Sequence, residues 1–268
     1  MIPGAVAILI SDIDVRGNRL RCRSQHQADC TTGSGAVDSS ARCRLLTLIS
    51  TSSASRASTT PVPLVDIGCG LGYLVRWLAA TNALGTDVEL VGVDLDAALV
   101  GEADRLARAE GLTCRFVRGN AFDLPEAATV YVSTGVLHHF RGPALAEFFQ
   151  AQASSPAYAF CHFDIAATPL APIGAWIFHR ARMRNPLGRH DGVVSARRAH
   201  SDGTLLRAAA VPGIRALLYE PRGTANPFCT TLRPVIGVRP QLEAPLRRAL
   251  GRDARRIVGP EHLAETTR

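Results

Sequence analysis

Three alternating glycines, Gly68, Gly70 and Gly72, follow a short apolar run that includes Asp66 and ends at Ile67. Glycine tolerates positive φ angles and lets a ligand approach the main chain closely. In open α/β sheets, ligands bind outside the carboxyl ends of the strands, where the chain turns towards the next helix. The segment therefore predicts a binding turn between a strand and a helix.

The spacing of these glycines distinguishes between two classes of cofactor site. A dinucleotide site carries the pattern G-x-G-x-x-G. Here Tyr73 stands at the third glycine position, and residues 66–72 read D-x-G-x-G-x-G instead. This spacing disfavours a nicotinamide oxidoreductase, which is one alternative for a chain of this kind.

A second carboxylate, Asp94, directly follows the apolar run Val88–Val93. A carboxylate at a strand end can accept hydrogen bonds from both hydroxyls of a ribose. Its neighbour Leu95 is a further candidate for contact with the cofactor. Asp96, in contrast, is predicted to be the N-cap of a helix over Ala97–Ala109.

Small or polar residues also follow the third and fourth predicted strands. Asn120 and Ala121 come shortly after the strand over Thr113–Val117, and the side-chain oxygen of Asn120 can accept a hydrogen bond. Ser133 and Thr134 lie at the end of the fourth strand. All four residues are candidates for binding the same ligand as the glycine turn.

Two adjacent histidines, His138 and His139, come shortly after the fourth strand, and Asp164 lies at the end of the fifth. Histidine titrates near pH 6.5, so either ring could take a proton from an acceptor group. His162 and Asp164 are two residues apart and therefore share one face of their strand. We expect both at the ligand-facing edge of the sheet. His138, His139 and Asp164 are candidate catalytic bases, and the alternative for each histidine is a role in packing or capping.

Four sites, which follow the first four predicted strands in order, resemble the motifs of class I S-adenosylmethionine (SAM) dependent methyltransferases. They are the glycine turn, the stretch at Asp94, the stretch at Asn120, and the stretch from Ser133 to the two histidines. The resemblance covers roughly residues 61–165 by motif, and the stretch V-L-H-H-F at 136–140 is similar to methyltransferases of the quinone-biosynthesis type. It implies that SAM is the cofactor and that the glycine turn, with Cys69, packs against its amino-acid portion. It also implies that Asp66 holds the amino end of SAM.

The same resemblance assigns roles to the later motifs. Residues matching Ser133–Gly135 contact SAM in this family, and the residue at position 120 accepts from the adenine amino group. That residue is usually acidic, whereas this chain has Asn120, which can accept the bond without charge.

Strands and helices must alternate to bring these residues to one edge. Near-continuous apolar strands separated by residues at helical spacing predict a parallel sheet covered by helices on both faces. Gly213–Tyr219 and Cys229–Val238 follow without a helix between them, which predicts an antiparallel hairpin. The expected fold class is α/β: a Rossmann-like seven-stranded sheet, mostly parallel, with a C-terminal antiparallel hairpin.

The chain divides into segments of different composition. Residues 1–60 are rich in serine and threonine and lack apolar periodicity, so we expect disorder there. Residues 61–240 form the expected SAM-binding domain, in which 166–212 is longer than one crossover helix needs and is predicted to cap the substrate. Within it, Trp176, Ile177, Phe178 and Met183 could wall an apolar pocket. Residues 241–268 are expected to be a tail with a short helix.

Composition limits the partners. All 30 basic residues are arginine and the formal net charge is +7, but no cluster of arginines and aromatic residues indicates a nucleic-acid surface. The seven cysteines match no metal-ligand spacing, which favours free thiols, a cytoplasmic protein and no metal. The sequence has no apolar run long enough to span a membrane.

The expected function is methyl transfer from SAM to an O, N or C atom of a small molecule. One alternative is a SAM-binding protein without catalysis. Another is an RNA or DNA methyltransferase, although the N/D-P-P-Y/F element of base-amino methyltransferases is absent after the fourth strand.

Overall fold

A computed structural model describes residues 62–182, 186–219 and 232–261 of the chain. The expected disorder of residues 1–60 and the position of Met183 lie outside the described residues. In the part of the chain that the structure does describe, no helix has both the length and the apolarity needed to cross a membrane.

Eight strands form one sheet with the spatial order β3-β2-β1-β4-β5-β7-β6-β8. The first five strands pair in parallel, whereas β7 runs antiparallel to both β5 and β6. The strands are β1 (Val62–Ile67), β2 (Val88–Asp94), β3 (Arg115–Arg118), β4 (Val130–Thr134), β5 (Ala159–Ile165), β6 (Arg215–Tyr219), β7 (Leu232–Val238) and β8 (Ile257–Val258). The predicted parallel sheet and its antiparallel hairpin are confirmed.

Seven α-helices connect or follow these strands in the described ranges. They are α1 (Tyr73–Thr81), α2 (Ala97–Ala109), α3 (Pro143–Ser154), α4 (Ala171–Arg182), α5 (Pro186–Arg198), α6 (Asp202–Ala209) and α7 (Pro240–Leu250). Two short 3-10 helices cover Leu137–His139 and Gly251–Arg256. The helix predicted over Ala97–Ala109 is observed with those bounds, and Asp96 is its N-cap.

The expected number of strands was wrong by one, because the C-terminal tail contributes β8. Ile257 and Val258 pair antiparallel with Tyr219 and Leu218 of β6. Ile257 is buried in the core cluster that also contains Leu246 of α7. A two-residue strand carries too little periodicity to be read from the sequence, and burial of Ile257 holds it in place.

Alternate residues of the central strands face two separate apolar cores. On one face, Leu64 and Val132 pack with Val75 of α1 and Leu246 of α7. On the other face, strand residues such as Val65 pack with side chains from α3 and α6. The sheet is therefore covered on both faces, which fixes the strand ends that carry the predicted site.

The segment 166–212, expected to be a substrate cap, divides into two parts. Helix α6 packs Leu205 and Leu206 into the core that also contains Val65 and side chains of α3. Helices α4 and α5 instead pack on each other through a separate small cluster of Ala171, Ala175 and Ala196. Helix α5 also approaches the 3-10 helix at residues 137–139. Only the α4–α5 pair therefore stands outside the sheet and its covering helices.

Candidate cofactor site and active site

The glycine turn after β1 has the backbone that its composition predicts. Gly68, Gly70 and Gly72 all have positive φ, at 69°, 54° and 69°. A Cβ atom at Gly72 would collide with the Phe116 ring. At Gly70, in contrast, no atom lies within 4 Å of the position that a Cβ atom would take. The turn thus packs tightly at Gly72 and leaves open space at Gly70, where a ligand can approach the main chain.

The Asp94 carboxylate joins the two loops that border this space. Its Oδ2 accepts from the backbone N–H of Gly70 at 2.8 Å, and its Oδ1 accepts from the backbone N–H of Asp96 at 3.0 Å. Each carboxylate oxygen has a further lone pair that can accept a ribose hydroxyl. Leu95, next in the chain, is 65% exposed at the same strand end.

Asp66 is a buried acid that lacks a hydrogen-bond partner on one oxygen. Only 3% of the residue is exposed, and no partner in the described residues reaches its Oδ1. Burial raises the pKa of Asp66 to about 8, and the nearby Asp94 charge adds to this rise. A cationic ammonium group placed here would satisfy the orphan oxygen and favour the ionised acid. The residues at this strand end therefore fit the amino end of SAM.

Asn120 and Ala121 lie after β3, at the same edge of the sheet. The Asn120 Oδ1 accepts from the backbone N–H of Phe122 at 3.1 Å, which orders the loop. Ala121 is half-buried and packs against the core that contains α3 and α6. The amide oxygen of Asn120 keeps a second lone pair, so its contact with adenine stays a prediction.

Ser133 and Thr134 end β4 with opposite orientations. The Ser133 Oγ is fully buried and lies 2.8 Å from Nδ1 of His162 in the core. Thr134 is exposed. Contact of both residues with SAM stays a prediction, and the Ser133 hydroxyl is already engaged by His162.

His138 and Asp164 form a buried pair at the ends of β4 and β5. The His138 Nδ1 lies 2.8 Å from Asp164 Oδ1, and the His138 backbone N–H donates to Asp164 Oδ2 at 2.8 Å. A carboxylate acceptor keeps the ring proton on Nδ1, so Nε2 is left as a proton acceptor. His138 is 5% exposed, and a side chain built at Gly135 would meet only His138 Cε1, at 3.9 Å, so there is room for a small group beside the ring.

The His139 ring lies beside His138, at 35° to its plane, and is more accessible. Its ring centroid lies 4.4 Å from that of His138. Partial burial and the adjacent His138 lower the pKa of His139. Both predicted histidines are therefore close to the strand ends, but only His138 is oriented by a carboxylate.

His162 does not lie at the ligand-facing edge, so that expectation was wrong. It shares a face with Asp164, as predicted, but it is fully buried. Its Nε2 lies 2.7 Å from Gln152 Oε1, and aromatic rings of Phe148 and Phe160 surround it. Burial lowers the pKa of His162 to about 3. It is a neutral structural histidine.

Two residues near the pair were not identified from sequence as parts of the site. Arg233 of β7 is opposite Asp164 in the sheet and forms an ion pair with Asp202. His200 Nε2 lies 3.1 Å from the carbonyl oxygen of Leu137 and 3.0 Å from that of Phe140, so it holds the 3-10 helix. Arg233 could have been identified from its antiparallel register with Asp164. That register, however, is known only when the pairing of β5 with β7 is known.

Comparisons with known proteins match part of the chain to a family model and its fold to solved structures. Residues 64–155 match a family model described as a methyltransferase domain. A comparison with curated proteins gave no match. Among solved structures, the plantazolicin methyltransferase BamL, in complex with a triazolic desmethylPZN analog and SAH, has a TM-score of 0.52 and 12% identity, over 75% of this chain and 86% of that chain.

Two further solved structures match this chain. The plantazolicin methyltransferase BpumL with SAH has a TM-score of 0.51 and 12% identity, over 75% of this chain and 85% of that chain. Magnesium protoporphyrin IX methyltransferase (ChlM) from Synechocystis PCC 6803 has a TM-score of 0.46 and 17% identity, over 74% and 84% of the two chains. Residues 64–155 therefore match a methyltransferase domain, and the chain shares its fold with the two plantazolicin methyltransferases.

Proposed function

We propose that this enzyme transfers the methyl group of SAM to an O, N or C atom of a small-molecule acceptor, with His138 as general base. One observation carries the proposal: the Asp164 carboxylate orients His138, and there is room for a small group between this ring and Gly135. The similarity of residues 136–140 to the quinone-biosynthesis type supports a small-molecule acceptor.

The residues around the glycine turn would hold the cofactor. Asp66 would pair with the amino group, the open backbone at Gly70 would accommodate the amino-acid portion, and Asp94 would accept from the ribose hydroxyls. Asn120 would accept from adenine. When bound, SAM supplies a methyl group already activated on a sulfonium, so the protein mainly aligns donor and acceptor.

His138 would accept the acceptor's proton at Nε2. The resulting imidazolium would be stabilised by Asp164, which already accepts from Nδ1 and from the backbone N–H of the same residue. Asp164 is thus a positioning residue in this proposal. His139 would serve the packing of the turn rather than the proton transfer, because no carboxylate orients it in the described residues.

A cytoplasmic location is part of the same proposal. Within the described ranges, Cys69 and Cys114 are free thiols. Free cysteines are typical of reducing compartments. Over those ranges, no three side chains of the metal-binding types lie together, and the proposed chemistry needs no metal.

Methyl transfer from isotopically labelled SAM tests the proposal. The enzyme is incubated separately with a filtered small-molecule extract, bulk RNA and bulk DNA. Label in the small-molecule fraction, abolished in His138→Ala, supports the proposal. Label in RNA or DNA would establish the nucleic-acid alternative, and SAM binding without transfer to any fraction would establish the non-catalytic one.

A further inference from the structure

Helix α1 carries a buried arginine close to its N-terminus, where a positive charge is not expected. Arg76 is the fourth residue of the helix and only 6% of it is exposed. The helix dipole places partial positive charge at this end, which disfavours a cation. Buried ion pairs, moreover, often contribute no more stability than apolar side chains of the same volume. The position of Arg76 is therefore better explained by what its guanidinium holds in place.

The Arg76 guanidinium joins two separate parts of the chain. Its Nε and Nη2 donate to the two carboxylate oxygens of Glu110, at 2.8 and 2.6 Å, and Glu110 is the C-cap of α2. Its Nη1 donates to the backbone carbonyl oxygen of Leu71 at 3.1 Å. Leu71 stands between Gly70 and Gly72. The arginine is thus bonded directly to the glycine turn.

Two charged side chains hold adjacent residues of this turn. Asp94 accepts the backbone N–H of Gly70 at 2.8 Å, and Arg76 donates to the carbonyl of Leu71, the next residue. Asp94 lies two residues before the N-cap of α2, whereas Glu110 is its C-cap. The open backbone of the turn is therefore anchored to both ends of a single helix.

We propose that Arg76, oriented by Glu110, is a positioning residue for SAM that fixes the glycine turn before the cofactor binds. The inference rests on the proposed function, in which the amino-acid portion of SAM approaches the open backbone at Gly70. The planar guanidinium suits this role, because it can bind a carboxylate through two N–H groups and still donate to a carbonyl. A turn that is already ordered loses less conformational entropy on binding.

Replacement of the whole ion pair separates positioning from stability. Arg76→Met with Glu110→Leu removes the bond to Leu71 but leaves no unpaired buried charge. We expect this double variant to melt near the wild-type temperature and to bind SAM about tenfold more weakly, since an ordering hydrogen bond is lost. Thermal melting and calorimetric titration of SAM measure the two effects.

Amide hydrogen exchange without SAM tests the turn itself. In the wild type, the bond to Asp94 should protect the Gly70 N–H. In the double variant, exchange across residues 68–72 should become about tenfold faster, because one of the two charged anchors is lost.

A second bidentate arginine–glutamate pair provides the matched control. Nη1 and Nη2 of Arg115 donate to the two carboxylate oxygens of Glu126 at 2.9 and 2.7 Å, and neither residue contributes a bond to the glycine turn. Arg115→Met with Glu126→Leu should leave both the exchange of residues 68–72 and the affinity for SAM close to wild type.

The outcomes distinguish this inference from the proposed function. Unchanged exchange in the double variant, faster exchange with unchanged SAM affinity, or equal effects in the control pair would overturn the role of Arg76. Failure of the wild type to bind SAM would instead contradict the proposed function, and faster exchange in the double variant would then still establish that Arg76 holds the turn. If the double variant does not fold, Arg76→Lys takes its place. It keeps the charge but not the planar fork, so we expect changes in the same direction.

Discussion

Both oxygens of Asp164 are directed at one residue: Oδ1 lies 2.8 Å from Nδ1 of His138, and Oδ2 accepts the His138 backbone N–H at 2.8 Å. A carboxylate bound to ring and backbone together fixes the position and the tautomer of the imidazole. The same arrangement gives an N-terminal hydrogen-bond partner to the 3-10 helix that carries the ring. The position and the tautomer of His138 are therefore set by one side chain.

We expect His138→Ala to lower kcat by about a hundredfold to ten-thousandfold, the usual contribution of a general base. The Kd for SAM should change little, because the proposed cofactor contacts lie at the glycine turn and Asp94. Single-turnover transfer and calorimetric titration separate these two quantities. His139→Ala is the matched control and should retain most of the activity. Equal losses in both variants would contradict the assignment to His138.

Asp94→Ala should weaken SAM binding by about a hundredfold. Charge-assisted hydrogen bonds contribute about 1.5–3 kcal/mol each, and two of them to the ribose would be lost. Asp96→Ala is the control, because it removes the N-cap bonds to Ala98 and Leu99 while keeping the backbone N–H that Asp94 accepts. That variant should lose about 1 kcal/mol of unfolding free energy and keep its SAM affinity. Calorimetry and denaturant unfolding measure the two effects.

Asp66 makes the unliganded protein less stable as pH rises. Its pKa is about 8 in the folded chain against an ordinary value of 3.8, so between these pH values the folded state holds a proton that the unfolded state has released. The stabilisation from this proton is complete below about pH 4 and is lost progressively up to about pH 8. Asp66→Asn should remove this dependence, and melting temperatures of both proteins across that range measure it.

SAM binding should show the complementary dependence on pH. An ammonium group favours the ionised acid, so affinity should rise towards pH 8 and binding at pH 7 should release a proton. Calorimetry in buffers of different ionisation enthalpy counts that proton. Absence of proton release, or its persistence in Asp66→Asn, would contradict the placement of the amino group at Asp66.

His162 should cause the opposite trend at acidic pH. Its pKa is about 3 in the folded chain, so only the unfolded state takes up a proton as pH falls below about 6.5. Folding stability should therefore decrease as pH falls from 6.5 towards 3. His162→Phe suits the aromatic surroundings but leaves Ser133 and Gln152 without this partner, at a cost of about 1–3 kcal/mol for each buried group left unpaired. Denaturant unfolding at pH 5 and pH 7 should show a smaller difference in the variant than in the wild type.

The fold was largely predictable because its signals are local. A near-continuous apolar strand, a glycine turn and a helix with a capping aspartate each occupy a few consecutive residues, as in Ile67, Gly68 and Asp96. Parallel topology follows from their alternation. The eighth strand was missed because Ile257 and Val258 are ordered only by contact with a distant partner.

The site was predictable in position but only partly in orientation. Strand ends placed His138 and Asp164 at one edge, and the structure brings them into contact. The direction of a side chain depends instead on packing between residues far apart in sequence. The bond between Ser133 and His162, for example, joins β4 to β5 in the interior, and no pattern along the chain indicates it.

The pairing of β8 with β6 has a consequence for the colloidal behaviour of the protein. Among the described strands, β6 would otherwise be the last of the sheet, and the row of unsatisfied N–H and C=O groups on its outer side would extend through Leu218 and Tyr219, which β8 now pairs. Such a row is a template to which a strand from another molecule can add. A chain shortened before Ile257 would therefore expose this template and lose the buried isoleucine at once, and we expect it to assemble into oligomers through added strands.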